Sequence, residues 1–100
     1  MKKIEAIVRK EKFPHVCKVL ESSGIGGLTV TKAQGFGNHR NGLKEKVKIE
    51  IYCDEFQVDM IVDTIRKAAQ TGFTGDGKIA VFELKSLYRI RTGEEGASAI

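Results

Sequence analysis

Cysteine is scarce in this chain and badly placed for chemistry. Cys17 and Cys53 lie far apart, with no C-x-x-C and no histidine spacing suited to zinc. Two buried thiols in a reducing compartment are expected, with no bound metal. No apolar run approaches the length of a membrane-spanning helix, and the N-terminus lacks the hydrophobic region of a signal peptide. A cytoplasmic chain without membrane insertion is therefore expected. No set of residues combines a positioned base, a nucleophile and a metal site, so an enzyme is not expected. No motif repeats internally.

Charge of one sign does not dominate either. Seventeen basic residues stand against 13 acidic ones, for a net charge of +4. That balance suits phosphate-bearing ligands better than nucleic acid. One hundred residues suffice for one core without disulfides, so a single domain over 1–100 is expected.

Periodicity supplies the elements. Lys3 to Arg9 alternates, with Ile4, Ala6 and Val8 on one side and Lys3, Glu5 and Arg9, joined by Ile7, on the other. The only proline, Pro14, stands where a helix can open. Val16, Val19 and Leu20 follow at helical spacing, and Gly24 supplies a stop. Leu28 to Gln34 reads as a second strand. Asn41-Gly42 is a turn signal leading to an antiparallel strand over Lys46 to Cys53, whose Val47, Ile49, Ile51 and Cys53 share a face. Asp54 and Gln57 form a capping box for a second helix striped by Val58, Ile61, Val62, Ile65 and Ala69. A strand over Lys78 to Phe82 follows. Residues 83–86 are ambiguous, Leu87 to Arg91 reads as a short strand, and Thr92 to Ile100 as a tail or turn. The order βαββαβ predicts an α+β, ferredoxin-like fold: an antiparallel sheet with two helices on one face, plus a short C-terminal strand. The second face, with Ile7 and Tyr52 among charges, favours oligomerisation.

The stretch Thr71-Gly72-Phe73-Thr74-Gly75-Asp76-Gly77-Lys78 carries the chemistry. Glycine reaches positive φ freely, so such a loop can turn several N–H groups toward one point. With Lys78, and with Arg89 and Arg91 two apart on a strand, it makes a plausible polyphosphate cradle. A flexible helix-to-strand connection is the other reading. Gly72 to Lys78 fits G-x-x-x-x-G-K, but Ile79 stands where a P-loop needs Ser or Thr, and the order is helix–loop–strand.

These residues resemble the PII signal-transduction family, the nitrogen regulatory proteins P-II, over nearly the whole chain. The resemblance rests on Met1-Lys2-Lys3-Ile4-Glu5-Ala6-Ile7, Gly27-Leu28-Thr29-Val30-Thr31, Gly35-Phe36-Gly37, Lys46-Val47-Lys48-Ile49-Glu50-Ile51, Thr71-Gly72 with Gly75-Asp76-Gly77-Lys78-Ile79, and Arg89-Ile90-Arg91-Thr92-Gly93, in that order. It implies a non-enzymatic homotrimer of nitrogen and carbon regulation, sensing ATP or ADP in clefts between neighbouring subunits. Gly75, Asp76, Gly77 and Lys78 would hold the phosphates from one chain, and Arg89 and Arg91 would reach them from the next. Gly27, Leu28, Thr29, Gly35, Gly37 and Glu50 would line the adenine and ribose end. Lys46 corresponds to a lysine that meets 2-oxoglutarate and phosphate oxygens. Mg²⁺ and 2-oxoglutarate are the further ligands to test, and the protein target is left open.

Two departures bear on this. Only the eight residues Asn38 to Glu45 separate Gly37 from Lys46, where the family carries a much longer partner-docking T-loop. Tyr52 and Tyr88 both fall in predicted strands, so the loop tyrosine that the family modifies has no counterpart. Position 39 holds His39 where typical members have glutamine; its imidazole either bonds a carboxylate of 2-oxoglutarate or is a solvated turn residue. A loop deleted by engineering from an ordinary member fits the sequence equally. An RRM-like RNA-binding domain shares the element order, and Gln34-Gly35-Phe36-Gly37 faintly echoes its RNP1 motif. That echo is followed by Asn38 and a turn rather than further aromatics.

Overall fold

The computed structural model describes every residue except Asn41. Its elements run β1 (Lys2–Arg9), α1 (Phe13–Glu21), β2 (Thr29–Gly35), β3 (Lys44–Cys53), α2 (Val58–Ala69) and β4 (Gly77–Glu83), with 3-10 turns at Glu55–Gln57 and Gly96–Ala99. The four strands form one sheet in the order β2-β3-β1-β4, antiparallel at every pairing. This is the α+β, ferredoxin-like arrangement expected from the sequence.

The alternation in β1 and β3 produces the core. Ile4, Ala6 and Val8 on β1 and Ile49 and Ile51 on β3 are buried against Val16 and Leu20 of α1 and Ile61 and Ile65 of α2. Each fully buried large aliphatic contributes roughly 1.5–3 kcal/mol relative to exposure. Pro14 sits in the first turn of α1, where its missing N–H costs nothing. The predicted capping box is present: the Asp54 N–H donates to Gln57 Oε1 at 3.0 Å. The helix itself begins only after a 3-10 turn, at Val58. Cys53 is buried and Cys17 half-buried, both as free thiols.

Cross-strand register sets the second face. Tyr52, Lys3 and Phe82 form one row across three strands, and Lys46, Arg9 and the residue before β4, Asp76, lie along another. Lys3 Nζ lies 2.9 Å from Glu50 Oε2 and 5.2 Å from the Phe82 ring centroid. Tyr52 and Phe82 stay substantially exposed.

The C-terminal expectations need correction. Leu87 to Arg91 is not a strand of the sheet; its one pairing is an isolated bridge from Tyr88 to Glu95. Gly93 adopts φ +74° and its N–H donates to the Arg89 carbonyl at 2.7 Å. The resulting turn over residues 90–92 separates Arg89 from Arg91, so the shared-face argument does not hold. Of the tail and the turn expected for residues 92–100, the turn is present, at Gly96–Ala99. The Arg89 guanidinium donates to the Ile100 carbonyl at 2.9 Å. Ile100 packs so closely on Gly26 that a Cβ there would meet it at 3.3 Å. The expected Asn41-Gly42 turn involves Asn41, which lies outside the described residues. The antiparallel β2–β3 pairing that it was to join is present.

Candidate functional site

The end of the sheet where β1 finishes and β4 begins gathers one group of the expected residues. Gly35 ends β2, Lys46 lies near the start of β3, and the loop 71–76 delivers Gly77 and Lys78 into β4. Register puts Arg9 directly across from Lys46. Two cations facing each other on adjacent strands repel unless an anion or acceptor lies between them. The loop supplies both. Arg9 Nε donates to Asp76 Oδ1 at 3.0 Å and Arg9 Nη2 to the Thr74 carbonyl at 2.6 Å. Lys46 Nζ donates to the Gly75 carbonyl at 2.6 Å.

Asp76 is the centre of this loop. Its Oδ2 accepts from the N–H groups of Thr71, at 2.8 Å, and Gly72, at 2.9 Å. Its Oδ1 accepts from the Thr71 hydroxyl as well as from Arg9. The Thr71 hydroxyl, with the two amides and Arg9, holds the Asp76 carboxyl well below the usual carboxylate range. The first amides of the glycine-rich stretch therefore already point at an anion belonging to the chain. What the loop still presents is Gly75, Gly77 and the exposed Lys78.

Two glycines here are needed as glycines. Gly75 has φ +94°, and a Cβ on it would meet Arg9 Nη2 at 3.4 Å. Gly77 has φ +104°, and its Cβ would fall 1.7 Å from the Ile7 carbonyl oxygen. That oxygen is backbone of the central strand and cannot step aside. A cleft of about 370 Å³ opens beside the loop, between Asp76, Gly77 and Lys78 and the Val62, Arg66 and Gln70 side of α2.

A second group gathers at the opposite end. Gly27, Leu28, Thr29 and Glu50 line a cleft of about 260 Å³, together with Gly26, Tyr52, Ala99 and Ile100. The carboxylate of Glu50 is hydrogen-bonded by Lys3, which draws its pKa down and raises that of Lys3. Arg89 belongs to this end through its bond to Ile100 and an approach of 3.8 Å to Glu94. Arg91 is exposed and makes no ion pair among the described residues. The two clefts share no lining residue. Thr29 and Gly35 mark the two ends of β2, about 20 Å apart at roughly 3.4 Å per strand residue.

The expected residues thus fall into two groups, and Gly35 and Gly37, expected with Gly27, Leu28, Thr29 and Glu50, lie instead towards the loop end. Gly37 and His39 lie just beyond β2 at the loop end, in a turn closed by the Arg40 N–H on the Gly37 carbonyl at 3.0 Å. Arg40 lies 5.5 Å from the Phe36 ring centroid. His39 is exposed and takes no hydrogen bond or ion pair among the described residues. Sequence reasoning passed over Arg9 and Ile100. Arg9 had only a partial signal: it closes the polar face of β1, but its place against Lys46 comes from the observed register of β1 with β3. Ile100 had none, because its contact with Gly26 depends on the turns at Gly93 and Gly96. No helix is long and apolar enough to cross a membrane, and no group of metal-ligating side chains occurs, among the described residues.

The family model described as nitrogen regulatory protein P-II matches residues 1–94. The chain is 45% identical to nitrogen regulatory protein P-II 1 of Escherichia coli K12 and 44% identical to nitrogen regulatory protein P-II of Synechocystis sp.. It is also 44% identical to the protein of that name from Bradyrhizobium diazoefficiens. Each alignment covers 100% of both chains and runs over 112 positions. That is twelve more positions than the 100 residues present here. Fold, motif order and full-length identity converge: the chain belongs to the nitrogen regulatory protein P-II family of signal-transduction proteins.

Proposed function

We propose that this protein is a non-enzymatic adenine-nucleotide sensor, binding ATP or ADP between neighbouring copies of a cytoplasmic homotrimer. The observation that carries the reading is the division of the candidate residues between opposite ends of one sheet. One end offers Gly75, Gly77, Lys78 and Lys46 for phosphates, with Gly35 and Gly37, read as lining the base and ribose, beside them. The other offers a cleft at Gly27, Leu28, Thr29 and Glu50, with Arg89 and Arg91 nearby. A nucleotide needs cations, amides and an apolar slot together. A second copy, placing its far end against the near end of the first, supplies all three. The partly apolar open face, with Ile7, Tyr52 and Phe82, is the surface suited to such assembly.

Asp76 serves this site by shaping the loop, and Lys78 and Arg91 remain exposed to meet phosphate oxygens. Calorimetric titration of ATP and ADP, with the mass of the assembly measured in parallel, tests the reading. Micromolar uptake by a trimer supports it, and a monomer that ignores both nucleotides overturns it.

The eight residues Asn38 to Glu45 are read as a shortened T-loop. Some or all of the twelve unmatched alignment positions are assigned there. Partner docking through this stub is altered or lost, whether the shortening is natural or engineered. Binding of 2-oxoglutarate draws on Lys46 and His39 in this reading. Titrating 2-oxoglutarate against ATP-loaded protein with Mg²⁺ decides it, since no heat above the dilution baseline means that carbon sensing is gone.

A further inference from the structure

We infer that Arg9 is a positioning residue for the phosphate loop: it holds the Asp76-centred turn in the shape that presents Gly75, Gly77 and Lys78. The inference rests on the nucleotide reading above for its ligand, but on geometry alone for its mechanism. Arg9 stands outside every residue group that the motifs single out, yet it is the side chain that joins the loop to the central strand. Its Nε donates to Asp76 Oδ1 and its Nη2 to the Thr74 carbonyl, at 3.0 and 2.6 Å. One planar guanidinium thus clamps a side chain and a backbone carbonyl on either side of Gly75. Its fork geometry suits that double contact, and a point charge does not.

Asp76 passes the restraint onward. The carboxylate that Arg9 holds is the same one that collects the N–H groups of Thr71 and Gly72 and the Thr71 hydroxyl. Without Arg9 the loop keeps its internal bonds but loses its attachment to the Arg9 end of β1. Of the side chains on the neighbouring strands β1 and β3, Lys46 then remains, on the Gly75 carbonyl, beside the backbone pairing of Gly77 with Val8. Arg9 and Asp76 are each about one quarter exposed, so the contact is sheltered without being lost to the interior. The close approach of Gly75 to Arg9 Nη2 shows how tightly the loop is seated: even a methyl group there would touch the guanidinium. Charge-assisted hydrogen bonds of this kind are the strong class, and losing two of them is enough to free a glycine-rich turn.

The experiment uses the full chain with three sequences: wild type, Arg9→Met and Arg9→Lys. ATP affinity is read by calorimetry. Amide hydrogen exchange is read at Thr71 and Gly72 in the loop and at Ile49 in the core. Arg9→Met is expected to weaken ATP binding about tenfold, a size set by the loss of charge-assisted bonds. It should speed exchange at Thr71 and Gly72 and leave Ile49 unchanged. Arg9→Lys keeps the charge and a donor group but not the fork, and is expected to recover part of both losses, which a purely bulky structural role would not predict. Unchanged ATP affinity in Arg9→Met overturns the inference. So does reduced affinity with unchanged loop exchange, which makes Arg9 a direct ligand contact, or exchange rising equally at Ile49, which makes the effect fold-wide. If wild type takes up no ATP, the nucleotide reading fails on its own. The exchange arm then still decides whether Arg9 holds the loop.

Discussion

The two ends of the sheet are built on opposite principles. At the loop end, the conspicuous charges are mostly spoken for: Arg9 and Lys46 face each other and are both tied to loop oxygens, and Asp76 collects amides, a hydroxyl and a guanidinium. At the far end the chain leaves a cleft of about 260 Å³, lined in part by Ala99 and Ile100. The first is a polar rim beside a cleft of about 370 Å³, and the second is the smaller cleft. A rim of cations and amides suits a phosphate, while a partly apolar slot suits a flat ring.

The largest effect that could break this contrast is at Gly77. Gly77→Ala forces a Cβ into the Ile7 carbonyl at a left-handed backbone position. It should cost about 3 kcal/mol or more in urea unfolding and detach the start of β4. A well-folded variant of wild-type stability contradicts the close approach. Next comes Arg91→Ala, which removes an exposed guanidinium from the far end without touching the loop. ATP affinity should fall about ten- to a hundredfold by calorimetry, with the fold unchanged. Equal affinity removes that end from the site.

Smaller effects sharpen the contrast. The Asp76 carboxyl is depressed by the Thr71 hydroxyl first, then by amides and Arg9. A depressed folded pKa means that its contribution is fully present above the unfolded value of about 4 and is lost only as pH falls through the lower folded value. The Thr71 and Gly72 amide resonances should therefore hold steady from about pH 8 to about pH 4 and move only in stronger acid. Movement near neutrality contradicts the latch. Smallest of all is Glu45→Gln. This removes the exposed pair with Lys10, at 2.6 Å, and should change neither thermal unfolding nor ATP affinity measurably.

Much of the fold was legible in the residues. Strict alternation in β1 and β3 named the buried face correctly, because one slip would have exposed every aliphatic on it. The capping box at Asp54 and Gln57 was legible for the same local reason. The C-terminal segment was not. Arg89-Ile90-Arg91 has strand-like composition, but Gly93 at φ +74° closes a turn on Arg89, and the order of glycines does not announce which turn they make. In the site, the motif positions and their split between neighbouring chains were readable from resemblance, whereas the separation of Gly35 from Thr29 follows from their places at opposite ends of β2. The role of Arg9 needed the register with Lys46, which no local pattern supplies.

The central claim is that opposite ends of neighbouring copies complete one nucleotide site, and mixing two damaged chains tests it most directly. Lys78→Ala damages the loop end and Arg91→Ala the far end, so an assembly of either chain alone has no intact site. Co-refolded together, a mixed closed trimer brings one undamaged loop end against one undamaged far end. One tight ATP site per mixed trimer is the predicted result. Mixed assemblies that bind ATP no better than either parent would contradict it.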